Sequence, residues 1–140
     1  MQPVDKKAVL AMMEVFYASP AVLSNGSAAI FTSDFEACVT ENPYLEGYIF
    51  EENDQIQGYA MAAKSFSTEF GRPCIWLEDL YIKEDFRGSG IGSLFLEFIG
   101  KKYPQAVLRL EVEEENGRAV KVYEKNGFNV LPYMEMKKLL

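Results

Sequence analysis

The chain has 140 residues, 49% hydrophobic and 14% aromatic, with 21 acidic against 14 basic side chains and a formal net charge of −7. That length and composition suit a single ordered domain, residues 1–140, and exclude a disordered chain, while the negative charge argues against a nucleic-acid partner, whose phosphates would be repelled. Histidine is absent, which excludes a His-ligated metal site and any Ser-His-Asp or Cys-His nucleophile.

In chain order, Asp5 to Tyr17 is predicted as a helix, with Asp5 as N-cap and Val9, Met12, Met13 and Phe16 as its apolar stripe. Ser19-Pro20 breaks it, and residues 18–32 read mostly as loop, with a turn at Asn25-Gly26. Ser33 to Glu36 fits a capping box, which places a second helix from about Asp34 to Thr40. A meander follows: a strand over Leu45 to Glu51, a turn at Asn53-Asp54, and a longer strand from Gln55 to Phe66. Gly58 within it marks a bulge or a close approach. A third strand runs from Cys74 to Ile82. Ile91, Leu94, Phe95, Phe98 and Ile99 give the next helix its apolar spacing, and Tyr103-Pro104 ends it. Ala106 to Val112 reads as a strand and Glu113 to Glu115 as a solvated rim. Asn116 to Lys125 reads as a helix closed by Gly127, and Phe128 to Lys137 supplies one or two last strands around Pro132. This order gives an α/β fold with mixed strand directions. No run has membrane length and no leader pattern opens the chain, so a soluble, cytoplasmic protein without a membrane partner is expected. Cys38 and Cys74 form no C-x-x-C and are read as small core hydrophobes.

Between the third strand and its helix stands Phe86-Arg87-Gly88-Ser89-Gly90-Ile91-Gly92. The glycines allow a tight turn and close backbone approach. The helix that opens inside it offers unpaired N–H groups at the positive end of its dipole. Arg87 adds a fixed charge able to grip phosphate oxygens. The segment therefore reads as a diphosphate cradle, against the plainer reading of a Gly-rich connection. A P-loop is ruled out, because Gly92 is followed by Ser93-Leu94 and not by Lys-Ser/Thr. A dinucleotide fingerprint is ruled out by position and spacing.

Arg87-x-x-Gly90-x-Gly92 resembles the coenzyme A pyrophosphate loop, Q/R-x-x-G-x-G/A, of the GNAT superfamily of N-acetyltransferases. Downstream, Asn116-x-x-Ala119-x-x-x-Tyr123-Glu124-Lys125-x-Gly127-Phe128 is similar to that family's second motif, at the expected distance. The resemblance covers nearly the whole chain and implies the GNAT fold, a mixed, mostly antiparallel sheet with flanking helices. Such proteins generally open with a short strand. This chain begins four residues before Asp5, so either that strand is absent or the chain starts at an internal methionine.

The resemblance implies acetyl-CoA as acyl donor, no metal, and a primary amine as acceptor, a polyamine or an amino acid among the candidates. The motif around Leu77 to Gly92 is most similar to that of diamine and polyamine acetyltransferases. A homodimer is admitted as a partner. Acetyl transfer needs a neutral amine, and an ammonium with a pKa of about 10.4 is deprotonated at pH 7 only about once in 2,500, a penalty of roughly 4–5 kcal/mol. Family members often hold a carboxylate before the glycine loop to accept that proton, here Glu78 or, in reserve, Asp79. Strand alternation puts Glu78 with Trp76 and Leu80, and Asp79 with Leu77 and Tyr81. The plainer reading is a carboxylate that binds the substrate cation or pairs with an arginine. The resemblance further implies that the backbone of Leu80, Tyr81 and Ile82, freed by a bulge that splays this strand from its parallel neighbour, binds the pantetheine arm and offers an N–H to the thioester oxygen. It implies that Arg87, Gly88, Ser89, Gly90, Ile91, Gly92 and Ser93 hold the pyrophosphate, and that Asn116, Ala119 and Tyr123 line the cofactor. Tyr123 matches the general acid for the departing thiolate, against an ordinary core aromatic. Asn116 also suits a helix N-cap, and Arg118 and Lys125 are weaker candidates for ligand contact. A non-catalytic acyl-CoA-binding module is the competing class.

Overall fold

Alternate residues of one long strand face two separate cores. In Gln55–Ser67, Tyr59 and Met61 point to one side of the sheet, Ala60 and Ala62 to the other, and all four are buried. The computed structural model describes residues 1–140. Its elements are α1 (Lys6–Tyr17), α2 (Ala28–Val39), β1 (Leu45–Glu52), β2 (Gln55–Ser67), β3 (Arg72–Ile82), α3 (Ile91–Lys102), β4 (Val107–Leu110) and α4 (Gly117–Lys125). The strands lie in the order β1-β2-β3-β4, antiparallel except for β3 with β4. Val9, Met12 and Met13 of α1 and Phe31 and Phe35 of α2 pack with Tyr59, Met61 and Tyr81 on one face. Phe95, Leu96 and Ile99 of α3 pack with Ala60, Ala62, Ile75 and Leu77 on the other, joined by Val122 and Tyr123 of α4. Each of these large side chains contributes about 1.5–3 kcal/mol by leaving water.

Several local expectations are corrected. The second helix begins at Ala28 and not near Asp34, because Ser27 is its cap and accepts from the Ile30 N–H at 3.3 Å. Phe31, Phe35 and Cys38 then continue one apolar face, and the Ser33–Glu36 pattern lies inside the helix. On α3 the core-facing stripe is Gly92, Phe95, Leu96 and Ile99, with Leu94 and Phe98 turned to solvent. Asp5 does not cap α1 with its side chain; it closes the short 3₁₀ turn Pro3–Asp5, accepting from the Gln2 N–H at 2.6 Å. Before α1 the chain forms only that turn, which agrees with the expectation that the first strand could be absent. No strand forms after Phe128. Pro132 lacks the N–H a ladder requires, and Tyr133 instead donates its hydroxyl to Glu69 at 2.9 Å. At Gly58 a close approach is found: a Cβ there would stand 2.3 Å from the Tyr81 carbonyl oxygen and 2.9 Å from the Phe50 ring. The adjacent register shift leaves Gln57 as an extra residue opposite Phe50 and Glu51.

One polar knot ties the sheet's first edge to α3. Glu46 of β1 accepts from Lys64 at 3.1 Å, Lys102 at 2.8 Å, the Tyr103 hydroxyl at 2.7 Å and the Tyr48 hydroxyl. Burial alone would raise its pKa, but these donors overcome that and hold it near about 2, against 4.5 for a free glutamate. A pKa depressed on folding stabilises the native state above the unfolded value and loses that contribution as pH falls through the folded one. Partial exposure screens the knot, leaving about 1–2 kcal/mol. Glu46→Gln is expected to cost that much at pH 7 in urea unfolding, with the gap to the parent closing towards pH 2. Equal stability at pH 7 would mean that the knot contributes nothing.

Candidate functional site

The site begins where β3 loses its parallel neighbour. β4 pairs with β3 only from Cys74–Val107 to Leu77–Leu110, so β3 from Glu78 to Ile82 has no strand beside it on that side. At the same point Met61 of β2 pairs with Asp79, and Ala62 with Leu77. Glu78 is thus an extra residue, a bulge that shifts the phase of the strand. Simple alternation fails here. Leu77 and Leu80 share the α3 face with Ala62 and Ala60, while Asp79 and Tyr81 share the α1–α2 face with Met61 and Tyr59.

Past Ile82, a 3₁₀ turn over Glu84–Phe86 leads to the glycine loop. Gly88 and Gly90 have φ of 86° and 92°, values that a side chain would strain. Gly90 caps α3 by accepting from the Leu94 N–H at 3.0 Å. The amides of Ile91, Gly92 and Ser93 open that helix with no helical carbonyl to meet. The Arg87 Nε donates to the Ile82 carbonyl at 2.8 Å, and its guanidinium stands 5.7 Å from the centre of the Tyr81 ring. The arginine is therefore anchored at its base with its outer nitrogens free to reach an anion.

Loop, free strand edge and α4 enclose a cleft of about 620 Å³. Leu80, Tyr81 and Ile82 form one wall; Arg87, Gly88, Gly90, Ile91, Gly92 and Ser93 form the second; Asn116, Ala119 and Tyr123 stand on the third. Of the residues expected to bind cofactor, only Ser89 lies outside. Its hydroxyl donates to the Phe86 carbonyl at 2.5 Å, and it faces a neighbouring groove. Asn116 also caps α4, accepting from the Ala119 N–H at 3.3 Å. The sequence reading missed the fourth wall, made by Phe16 and the turn Ser19, Pro20 and Ala21 after α1. Ser19-Pro20 signalled only that a helix stops, and nothing local indicated where the turn would dock.

The charges are divided across the splay. Arg87, Arg118 and Lys125 line the cleft against one carboxylate, Glu115, a cationic patch on a chain of net charge −7. Beyond the bulge the carboxylates gather. Burial raises the Glu78 pKa, and the nearby charges of Glu135 and Asp34 raise it further. Glu111, just past β4, is pushed up to about 7 by burial, by a hydrogen bond with Glu135 and by the charges of Glu135 and Glu78. Asp79 is 2% exposed and accepts from the hydroxyls of Tyr17 at 2.9 Å and Tyr59 at 2.8 Å. Burial raises its pKa to about 6, although both hydroxyls pull it down. Burial also raises the Tyr123 phenol. Cys74 is buried and Cys38 half-buried, and burial pushes the Cys38 thiol up to about 12, which leaves it a poor nucleophile. No cluster of His, Cys, Asp and Glu is placed to hold a metal, and no helix is long and apolar enough to cross a membrane. Such an arrangement can seat a diphosphate with an extended arm on one side and a cation on the other.

Comparison with known proteins gives the same outline. Residues 11–128 match the model of the acetyltransferase (GNAT) family. Over 75 residues the chain is 37% identical to thialysine N-epsilon-acetyltransferase of Bos taurus, covering 51% of this chain and 44% of that protein. Over 102 residues it is 32% identical to the Sus scrofa protein of the same name, covering 62% and 57%. The chain spans about half the length of the curated relatives it matches. Among solved structures, AAC(6')-Iy in complex with the bisubstrate analogue CoA-S-monomethyl-acetylneamine superposes with a TM-score of 0.78 at 15% identity, over 100% of this chain and 95% of that one. At that identity the likeness establishes the fold.

Proposed function

The chain belongs to the acetyltransferase (GNAT) family, and from that premise we propose that it is an acetyl-CoA-dependent N-acetyltransferase acting on a primary amine by direct attack in a ternary complex. The observation that carries the reading is the divided charge at the splay: a cationic cleft with a glycine cradle is walled by one unpaired strand edge, and the bulge residue of that strand, Glu78, stands among further carboxylates. The pyrophosphate would take the opening amides of α3 and the outer nitrogens of Arg87. The pantetheine arm would pair with the free backbone of Leu80 to Ile82 as an added strand. That places the thioester near the bulge, within reach of an amine entering from the carboxylate side.

Glu78 is assigned as the base. It takes a proton from the ammonium, directly or through a water, and the freed nitrogen lone pair attacks the thioester carbonyl carbon. The carbon–sulfur bond breaks as the nitrogen gives up its second proton to solvent and the neutral amide forms. Tyr123 donates a hydrogen bond to the sulfur as it gains charge, and the departing thiolate takes a proton from solvent to leave as free thiol. A strand N–H stabilises the oxyanion between these steps. Asp79 is a poorer base, because both its oxygens are already taken by tyrosines. The acceptor is a small cationic amine. The similarity to thialysine N-epsilon-acetyltransferases supports that class, and so does the group of carboxylates around Glu78.

Direct attack predicts intersecting lines when initial rates are measured with acetyl-CoA and amine both varied. Parallel lines would require an acetyl-enzyme and would overturn it. Cofactor binding through the loop is tested separately. Acetyl-CoA at about 100 times its Kd should stabilise the fold by about 2.7 kcal/mol and raise Tm. A Cβ at Gly90 would meet no neighbour within 4 Å, but a side chain is strained at φ 92°, so Gly90→Val should fold, with its loop displaced and the Tm shift lost. An undiminished shift would remove the loop from the site.

A further inference from the structure

In this scheme the most deeply buried carboxylate of the site touches neither cofactor nor amine. A buried carboxylate is costly unless its oxygens are hydrogen-bonded, and each oxygen of Asp79 is bonded to a different element. Oδ1 accepts from Tyr17, the last residue of α1, and Oδ2 from Tyr59 in the middle of β2. The tie therefore joins helix, bulged strand and neighbouring strand at a single side chain.

Its position matters because of what lies immediately before it. Glu78 has no partner in β2, being the extra residue of the bulge, and none in β4, whose pairing ends at Leu77. The sheet ladder thus does not fix the direction of Glu78; its neighbour is fixed from both sides. Tyr17 also carries the chain into Ser19, Pro20 and Ala21, which wall the cofactor cleft. One carboxylate is thus connected to the base and to the cleft wall. We propose that Asp79 is a positioning residue, which through Tyr17 and Tyr59 locks the bulge that aims Glu78 and the turn that closes the cleft. The proposal rests on the assignment of Glu78 as base. It gives the site a reason to carry two successive carboxylates, one exposed to accept a proton and one buried to hold the first in place.

The test uses the full chain in three variants, Asp79→Asn, Tyr17→Phe and Glu78→Gln, with thialysine as the amine probe and amide hydrogen exchange as a readout independent of turnover. Asp79→Asn and Tyr17→Phe should each speed exchange at least tenfold at two separated places together, Glu78–Leu80 and Ser19–Ala21. Both should lower kcat about tenfold to a hundredfold, with the acetyl-CoA Kd within about threefold and the acid limb of the kcat profile retained. Tyr17→Phe keeps the buried carboxylate and its Tyr59 partner, so it covers the case in which Asp79→Asn fails to fold. The groups facing Asp79 are Tyr17 of α1, Asp34 and Cys38 of α2, Tyr59 of β2 and Glu78 of β3; of these, Glu78 is the one whose removal should abolish the acid limb. If Asp79→Asn abolishes the limb and Glu78→Gln keeps it, Asp79 is the base and the proposal falls. If exchange rises evenly along the chain, or at neither place, Asp79 is an ordinary core group and the proposal falls. Should Glu78→Gln retain full kcat, the base assignment fails by itself, and the paired exchange at the two segments still decides whether Asp79 holds them.

Discussion

Glu78→Gln is expected to lower kcat by about a hundredfold to ten-thousandfold while leaving the acetyl-CoA Kd within a few-fold. The size follows from the task. At pH 7 an alkyl ammonium must give up its proton at a cost of roughly 4–5 kcal/mol before it can attack, and Glu78 is the carboxylate that stands on the freed strand itself. Glu78 keeps part of its surface open to solvent while its carboxyl is half-buried, whereas Asp79 is enclosed by Tyr17 and Tyr59. Cofactor affinity should survive because Glu78 does not line the cleft. The pH dependence has a definite sign. Burial and the charges of Glu135 and Asp34 raise the Glu78 pKa, and a base acts when deprotonated, so kcat should rise with pH through a value above the 4.5 of a free glutamate. In Glu78→Gln that rise disappears. A variant with full kcat and an unchanged profile would reduce Glu78 to a surface charge.

Tyr123→Phe should lower kcat by about tenfold to a thousandfold, again with little change in cofactor affinity. A thiol with a pKa of about 8.5 against a phenol of about 10 makes full proton transfer to the thiolate uphill by roughly 2 kcal/mol. Burial raises the Tyr123 phenol further, which makes complete transfer less favourable still. The role proposed for the hydroxyl is therefore to donate a hydrogen bond to sulfur as its charge develops, an interaction strongest in the transition state and product. Its place beside Leu80–Ile82 and Asn116 in the cleft supports the assignment. Removing only the hydroxyl should spare the ring's contact with Phe128, 5.8 Å between centres, and so spare the fold. An acyl donor with a more acidic thiol should lose less, because its leaving group needs less help. Loss of affinity at unchanged kcat would make Tyr123 a cofactor-binding residue.

The loop and α4 walls of the cleft were readable because their parts are local. Gly88 and Gly90 mark backbone that side chains would strain, and the spacing from Asn116 to Tyr123 is set by a single helix. What escaped depends on long-range pairing. The bulge at Glu78 exists only as a register against β2, and it overturned the face that alternation gave to Leu77 and Asp79. Ser33–Glu36 imitated a helix start, while the real cap, Ser27, had no acidic partner to mark it and is confirmed by Phe31 reaching the core. The expected last strands around Pro132 have no ladder to join. The docking of Ser19 to Ala21 against the cleft required knowing where α1 ends in space, which the Asp79–Tyr17 bond fixes and no short-range pattern encodes.

The most direct test of the account is release of free coenzyme A thiol from acetyl-CoA in the presence and absence of a panel of primary amines. Thiol should appear at a rate that depends on the amine, with small cationic amines ahead of neutral and anionic ones, and each equivalent of thiol should be matched by one of N-acetylated amine. Saturable acetyl-CoA binding with no amine-dependent thiol across the panel would contradict the account and leave an acyl-CoA-binding module in its place.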